Sequence, residues 1–586
     1  MIVAASTGMS ELGVRDCHAG DGDLGETAAG RSAPRTGDAT AVTTRPTLWT
    51  TLFRCKPVAD FIVAGEGHSH GLGRKFGLFQ LTMLGVGATI GTGIFVALNT
   101  AVPEAGPAVS VSFVIAGITA ALTALCYAEL ASAVPVAGSS YSYAYATMGE
   151  LAAFLIGACL LLEYGVSASA IAVGWGQYLN EALSLTTGWR IPDAIARPPG
   201  AGGVVNLPAV VLVGLCLTLL LRGAKESTTV NSVLVLLKIA VLLLFVCVAF
   251  AHFSVDNYHP FAPRGLIGIG SAASSIFFSY IGIDAVSTAG EEVDNPRRNL
   301  PLAIILSLLI VTAAYILVAV AAVGAQPWTA FKGQEAGLAV ILHNLTGAAW
   351  PALALSLGAI ASIFSVTLVV LYGQTRILYA MSRDGLLPAF FRRVDPVRQV
   401  PRQNTWVVAG GVALLAALVP LDVLVNLTSM GTLIAFASVS IGVILLRRSR
   451  PDLPRGYRVP FYPVLPIASA AFCLYLIAGL PKDTYLLFAV WLGGAAALYF
   501  GYSRRRSVLA TGAGAVEGWE SQAEAVCGSP GRSGETLGCG TVKERAGAYA
   551  FGGHVGQRGT ACRGRARPRV RPTPGRCRPR GRHTSL

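Results

Sequence analysis

Gly85-Val86-Gly87-Ala88-Thr89-Ile90-Gly91-Thr92-Gly93-Ile94-Phe95 lies inside an apolar run from about Leu78 to Ala101. A run of that length can cross a bilayer as a helix. Its middle, however, holds four glycines, and each costs about 1 kcal/mol against alanine in a helix interior. Two readings stay open on spacing alone. The glycines form a packing face for a neighbouring membrane helix, or the helix opens there. Open backbone inside a membrane is tolerated only where it lines a polar cavity or is buried in protein. The N–H groups that begin the second half-helix would then point at an anion.

Composition places the rest of the chain around that run. The 586 residues are 53% hydrophobic and 13% charged, and the mean hydropathy is +0.58. Those values exclude an ordinary soluble domain. The net charge of +14 sits in loops and in the tail, so it is no nucleic-acid signature. Eleven cysteines occur without CxxC pairs; Cys126, Cys159, Cys216 and Cys247 fall in apolar runs and read as small core residues. Met1 to Asp16 lacks a basic start and an apolar core, so no signal peptide is expected. There is no HExxH or Walker A motif, no cofactor or metal site is expected, and an enzyme is disfavoured.

Residues 1–47 are rich in small and polar types and are expected to be disordered. Residues 48–77 form a pre-helix segment with Trp49, Leu52, Phe53 and Phe61, suited to a membrane surface. Apolar spans follow near 78–101, 107–133, 150–180, 205–221, 230–251, 268–290, 301–324, 350–380, 405–420, 424–446, 463–480 and 484–502. The expectation is an all-α polytopic membrane protein with about twelve helices in a domain over 78–505. Placing the N-terminus in the cytoplasm puts most lysines and arginines on that side, by roughly four to one, as the positive-inside rule requires. Both termini are then cytoplasmic. Residues 506–586, with arginine and proline enriched late, are expected to be a disordered tail.

The sixth span repeats the anomaly of the first. Ser274 to Glu292 carries Ser279, Gly282, Asp284 and Ser287 near its centre. Two interrupted spans five apart point to an inverted repeat with a site at its middle: spans one to five and six to ten, with two more outside.

Several motifs now become specific. Gly87 to Phe95, Cys126-Tyr127-Ala128-Glu129-Leu130-Ala131-Ser132 and Pro135 to Tyr141 resemble the first two helices of amino acid–polyamine–organocation permeases. Phe277 to Asp284, Glu291 to Pro296, Tyr372 to Arg376 and Met381 to Pro388 resemble the cationic amino acid transporter branch. The resemblance covers about residues 50–505. It implies helices 1 and 6 broken at their centres, secondary transport of an amino acid through the cell membrane, and a monomer as the sufficient unit. It also implies a pose. The substrate carboxylate takes N–H groups near Thr92 and Gly93, with Ile90 and Gly91 forming the break. The amino group donates to carbonyls near Thr89, Phe278, Ser279 and Ile281.

Charged residues inside spans complete the reading. Lys238 lies mid-span, where a lysine costs about 2.5–3.5 kcal/mol on insertion scales. It either snorkels to the interface or serves as the proton carrier that the resemblance implies, meeting carbonyls of the first helix and a hydroxyl on the eighth, Ser365 with Ser362 behind it. Glu163 and Asp284 are further intramembrane acids, for proton shuttling or for anchoring helix ends. Glu129, nearer a helix end, is expected to pair with an arginine. Protons, the amino acid and membrane lipid are the expected partners. An exchanger or a transporter-like sensor is the alternative to a proton symporter.

Overall fold

The computed structural model describes residues 51–56, 77–134, 139–223, 228–282, 284–288, 293–395, 398 and 400–511. The extensions 1–47 and 512–586, most of the pre-helix segment, and the motif residues 135–138 and 289–292 lie outside the described residues. So does the side chain of Thr92.

Among the described residues the fold is helical, without strands. The principal helices are α1 (Leu78–Thr89), α2 (Thr92–Ala105), α3 (Val109–Ala133), α4 (Ser139–Thr147), α5 (Glu150–Thr187), α6 (Leu207–Leu221), α7 (Thr228–Ala251) and α8 (Gly265–Ile276). They continue with α9 (Pro296–Ala325), α10 (Gly337–Thr346), α11 (Ala349–Arg383), α12 (Arg402–Leu418), α13 (Leu421–Ser449), α14 (Val464–Ala478) and α15 (Lys482–Leu498). Among the described residues, seven helical segments are long and apolar enough to cross a membrane. α5, with 38 residues, is roughly 57 Å long at 1.5 Å per residue and overshoots a hydrocarbon core of about 30 Å.

Local chemistry sets the helix ends. Asn206 caps α6 by accepting from the Ala209 amide at 3.1 Å, which satisfies one of the unpaired first-turn donors. Gly188, left-handed at φ 71°, closes α5 with an N–H to the Ser184 carbonyl, a conformation glycine adopts without cost.

The core is a set of helix pairs. α5 packs on α11 and α13, α3 on α9, and α1 on both α7 and α9. Polar anchors tie the end that carries Thr51–Lys56 and Ser503–Ala510, called the terminal face below. There Glu150, fully buried, accepts from Tyr499 (3.1 Å), Tyr145 (3.3 Å), Arg54 (3.4 Å) and Ser507 (2.5 Å). Asp384 accepts from Lys56 at 2.8 Å and Tyr141 at 2.7 Å. Its backbone carbonyl takes the Val508 amide. Residues 507–511, placed in the tail by composition, therefore belong to the packed body. Glu129 pairs as expected, with Arg447 (2.7 and 2.5 Å) and the Val459 amide (2.7 Å). The opposite, distal face is closed by links such as Ala108 N–H to the Phe261 carbonyl and Ser254 N–H to the Gly324 carbonyl.

Candidate functional site

The glycine-rich run is broken. α1 ends at Thr89, Ile90 (φ −72°, ψ 93°) and Gly91 (φ −149°, ψ −133°) leave helical geometry, and α2 begins at Thr92. The last carbonyls of α1 and the first N–H groups of α2 consequently lack helical partners. The sixth span breaks in the same manner. α8 tightens into a 3-10 turn over Phe277–Tyr280, Ile281 turns extended (ψ 142°), and Gly282 adopts φ +101°. That angle is open to glycine and strained for other residues.

The two breaks touch reciprocally. A Cβ on Gly93 would collide with the backbone and side chain of Ser279, and one on Gly282 would lie 2.6 Å from the Ala88 carbonyl oxygen. Each glycine of one break thus seats against the residue just inside the helix end of the other. Glycine is required at both positions because any side chain would push the half-helices apart.

Side chains from three helices attend the open backbone. Lys238 on α7 is fully buried, and its ammonium donates to the Gly87 carbonyl at 2.8 Å. One and two turns earlier, Val235 and Asn231 line Gly87. The Tyr315 hydroxyl of α9 lies 2.8 Å from the Thr89 carbonyl and 3.0 Å from the Ser279 carbonyl, bridging the breaks. Val366 of α11 rests on Gly91, which places the neighbouring, buried Ser365 on the helix that walls the first break. Ser362 spends its hydroxyl on the Gly358 carbonyl at 2.6 Å, and Gly358 packs on Val241, three residues beyond Lys238.

The remaining expected residues divide. Ile90, Phe278, Ser279 and Ile281 are buried at the breaks. The Thr89 hydroxyl is used within α1, donating to Gly85 at 2.8 Å. The Ser279 hydroxyl is buried and has no hydrogen bond among the described residues. Asp284 follows the second break and accepts from Tyr164 (2.7 Å) and Ser139 (3.2 Å) through Oδ2, while Oδ1 has no such partner. Glu163, next to Tyr164, is fully buried with neither carboxylate oxygen hydrogen-bonded to a described residue. The acids therefore form a second cluster, reached through Tyr164 on α5 and Ser139 at the start of α4.

Sequence reasoning missed Tyr315 and Tyr164. Both carry a hydroxyl inside an apolar run, and a buried tyrosine hydroxyl normally needs a partner. That demand was visible, but which partner each hydroxyl would meet was not.

The architecture has relatives. Residues 76–494 match the family model described as amino acid permease. The chain is 45% identical over 462 residues to the branched-chain amino acid permease of Bacillus subtilis (strain 168), covering 78% of this chain and 99% of that one. It is 44% identical over 464 residues, with the same coverages, to the methylthioribose transporter of the same organism. It is 38% identical over 401 residues to the vacuolar cationic amino acid transporter 2 of Arabidopsis thaliana, covering 66% of this chain and 62% of that one.

Proposed function

The chain belongs to the amino acid permease family, and from that premise we propose that it is a proton-coupled symporter of neutral α-amino acids in the cell membrane. Twelve crossings arranged as a five-plus-five inverted repeat, with both termini cytoplasmic, fit the reciprocal seating of Gly93 on Ser279 and Gly282 on Ala88. In this reading the substrate carboxylate meets the first N–H groups of α2 near Thr92 and Gly93. Its ammonium replaces the Tyr315 hydroxyl on the Thr89 and Ser279 carbonyls, and Phe278 and Ile281 close the chamber. A half-helix N-terminus favours the anion, and freed carbonyls favour the cation.

The observation that carries coupling is the Lys238 ammonium on the Gly87 carbonyl. A lysine held in an apolar interior is costly to keep charged. Its proton is therefore tied to whether the first helix presents that carbonyl. When the half-helices separate around substrate, the pairing changes and the proton can leave. Ser365 stands on the opposing helix as a second partner for the amine. The branched-chain and methylthioribose relatives favour a neutral substrate over a cationic one.

Uptake of labelled leucine or alanine into proteoliposomes holding the full chain tests this. Accumulation should require an inward-directed proton gradient, and the substrate should carry protons into the lumen. Uptake that runs only against a preloaded internal amino acid, indifferent to pH, would establish an exchanger instead.

A further inference from the structure

We infer that α13 supplies the proton entry route from the distal face, a file of polar groups formed by Asn426 and Ser429 that delivers protons to Glu163. The inference rests on the proton-coupled reading above and adds the path and its residues.

The geometry starts from an unusual carboxylate. Both Glu163 oxygens are buried without a hydrogen bond to a described residue, and an ionised carboxylate left so would cost several kcal/mol. What it faces is α13. Gly431 comes so close that a Cβ there would lie 3.6 Å from the Glu163 amide nitrogen and 3.7 Å from its Cβ. Thr432, beside the carboxyl, gives its own hydrogen to the Thr428 carbonyl at 3.0 Å. With its hydrogen so placed, the Thr432 oxygen is open to accept from a protonated Glu163. The surroundings suit the acid that has taken up a proton, which then needs a donor from elsewhere.

That donor line runs up α13. Ser429 is fully buried and its hydroxyl also lacks a partner among the described residues. One turn nearer the distal face, Asn426 is partly exposed and accepts from Ser275 of α8 at 2.9 Å. Residues 426, 429 and 432 recur at three-residue spacing, so successive members of the row adjoin on the helix surface, and the row ends at Thr432 beside the carboxyl. Unsatisfied buried hydroxyl and carboxyl groups are sites where bridging waters bind. The ionisable groups around Glu163 are Cys159 and Tyr164 on its own helix, Tyr127 on α3 and Asp284 after α8. α11 contributes the neutral Gln374, packed on Gly165. In the step itself a hydronium ion at Asn426 passes its proton through water at Ser429 to the Glu163 carboxylate, leaving water and a neutral carboxyl.

The experiment compares wild type, Ser429→Ala, Ser429→Thr and Asn426→Leu/Ser429→Ala in proteoliposomes. Two rates are read, gradient-driven uptake with lumenal pH reported by an entrapped dye, and counterflow of labelled against unlabelled substrate at equal pH. The expected result is an approximately tenfold loss of driven uptake in the double variant. Its pH profile should move to more acid values, counterflow should be retained, and the hydroxyl-bearing Ser429→Thr should recover. An unchanged pH profile overturns the inference, as does a parallel fall in both rates, which marks a packing role. If the double variant does not assemble, Ser429→Ala alone decides by the same two rates. Wild-type uptake indifferent to the gradient would instead refute the proton-coupled reading itself.

Discussion

The Lys238 ammonium lies 2.8 Å from the carbonyl oxygen of Gly87, so a charge near the middle of α7 is held by backbone that exists as a free acceptor only because α1 ends two residues later. Lys238→Ala removes the charge and leaves the substrate carbonyls at Thr89 and Ser279 untouched. The expected outcome is retained substrate binding, read by ligand-dependent thermal shift, with gradient-driven accumulation abolished. Accumulation at the wild-type level would take Lys238 out of the coupling scheme.

The break at 90–91 was legible because glycine clustered in an apolar run is a composition signal that survives without neighbours, and the break at 281–282 because small and polar residues interrupt the centre of another such run. The fully buried Lys238 was legible for the same reason, as one charge in a run of leucine and valine. The reciprocal seating of Gly93 on Ser279 was not. It depends on how two spans nearly two hundred residues apart pack, and spacing within either span carries no trace of it. Tyr315 illustrates the limit: its hydroxyl needs a partner, and two carbonyls from different helices answer that need.

The glycine positions separate packing from flexibility. Gly93→Ala and Gly282→Ala should each lower the thermal midpoint and abolish uptake. A methyl at 93 collides with Ser279, and a methyl at 282 meets the Ala88 carbonyl at a φ of +101°; overpacking of this kind costs about 1–3 kcal/mol. Gly411→Ala on α12 is the control. Nothing lies within 4 Å of a Cβ there, so the change should raise stability by up to about 1 kcal/mol through helix propensity. Melting curves in detergent measure all three.

Truncation distinguishes tail from body. Removing residues 512–586 should leave uptake unchanged. Removing 507–586 also strips the Ser507 bond to Glu150 at 2.5 Å and the Val508 amide from the Asp384 carbonyl. The second truncation, like Glu150→Gln, disturbs a fully buried carboxylate with four donors, a loss of about 3 kcal/mol. Size-exclusion profiles and melting midpoints should show the step between the two lengths.

The distal loop carries a pH signature. Burial raises the Glu335 carboxyl above its usual range, outweighing the lowering by Arg197, whose guanidinium lies 3.0 Å away. A raised carboxyl binds its proton more readily in the folded chain than in the unfolded one. Its contribution is therefore fully present at acid pH and declines as pH rises through the folded value. Glu335→Gln removes that decline. The midpoint of the variant relative to wild type should be more favourable near about pH 8 than near about pH 4. A difference independent of pH would show that the group titrates alike in both states.

Substrate choice follows from what borders the first break. Val366 lies on Gly91 and Val235 on Gly87, and Ile363 is fully buried one turn before Val366. The acids are placed otherwise. Asp284 already accepts from Tyr164 and Ser139, and Glu163 faces Gly431 of α13. A guanidinium or ammonium side chain entering between the breaks would meet aliphatic walls, and a buried unpaired charge is prohibitively costly. A branched or small neutral side chain gains from the same walls, by about 0.8 kcal/mol for each buried CH₂. In competition against labelled alanine, leucine, valine and isoleucine should displace the label at lower concentrations than arginine and lysine. Val366→Ala should then shift the preference toward the longest neutral side chains without admitting arginine, because it adds room and no carboxylate. Displacement by arginine ahead of leucine would mean that Glu163 or Asp284 turns toward the bound side chain, and the apolar-wall argument would fail.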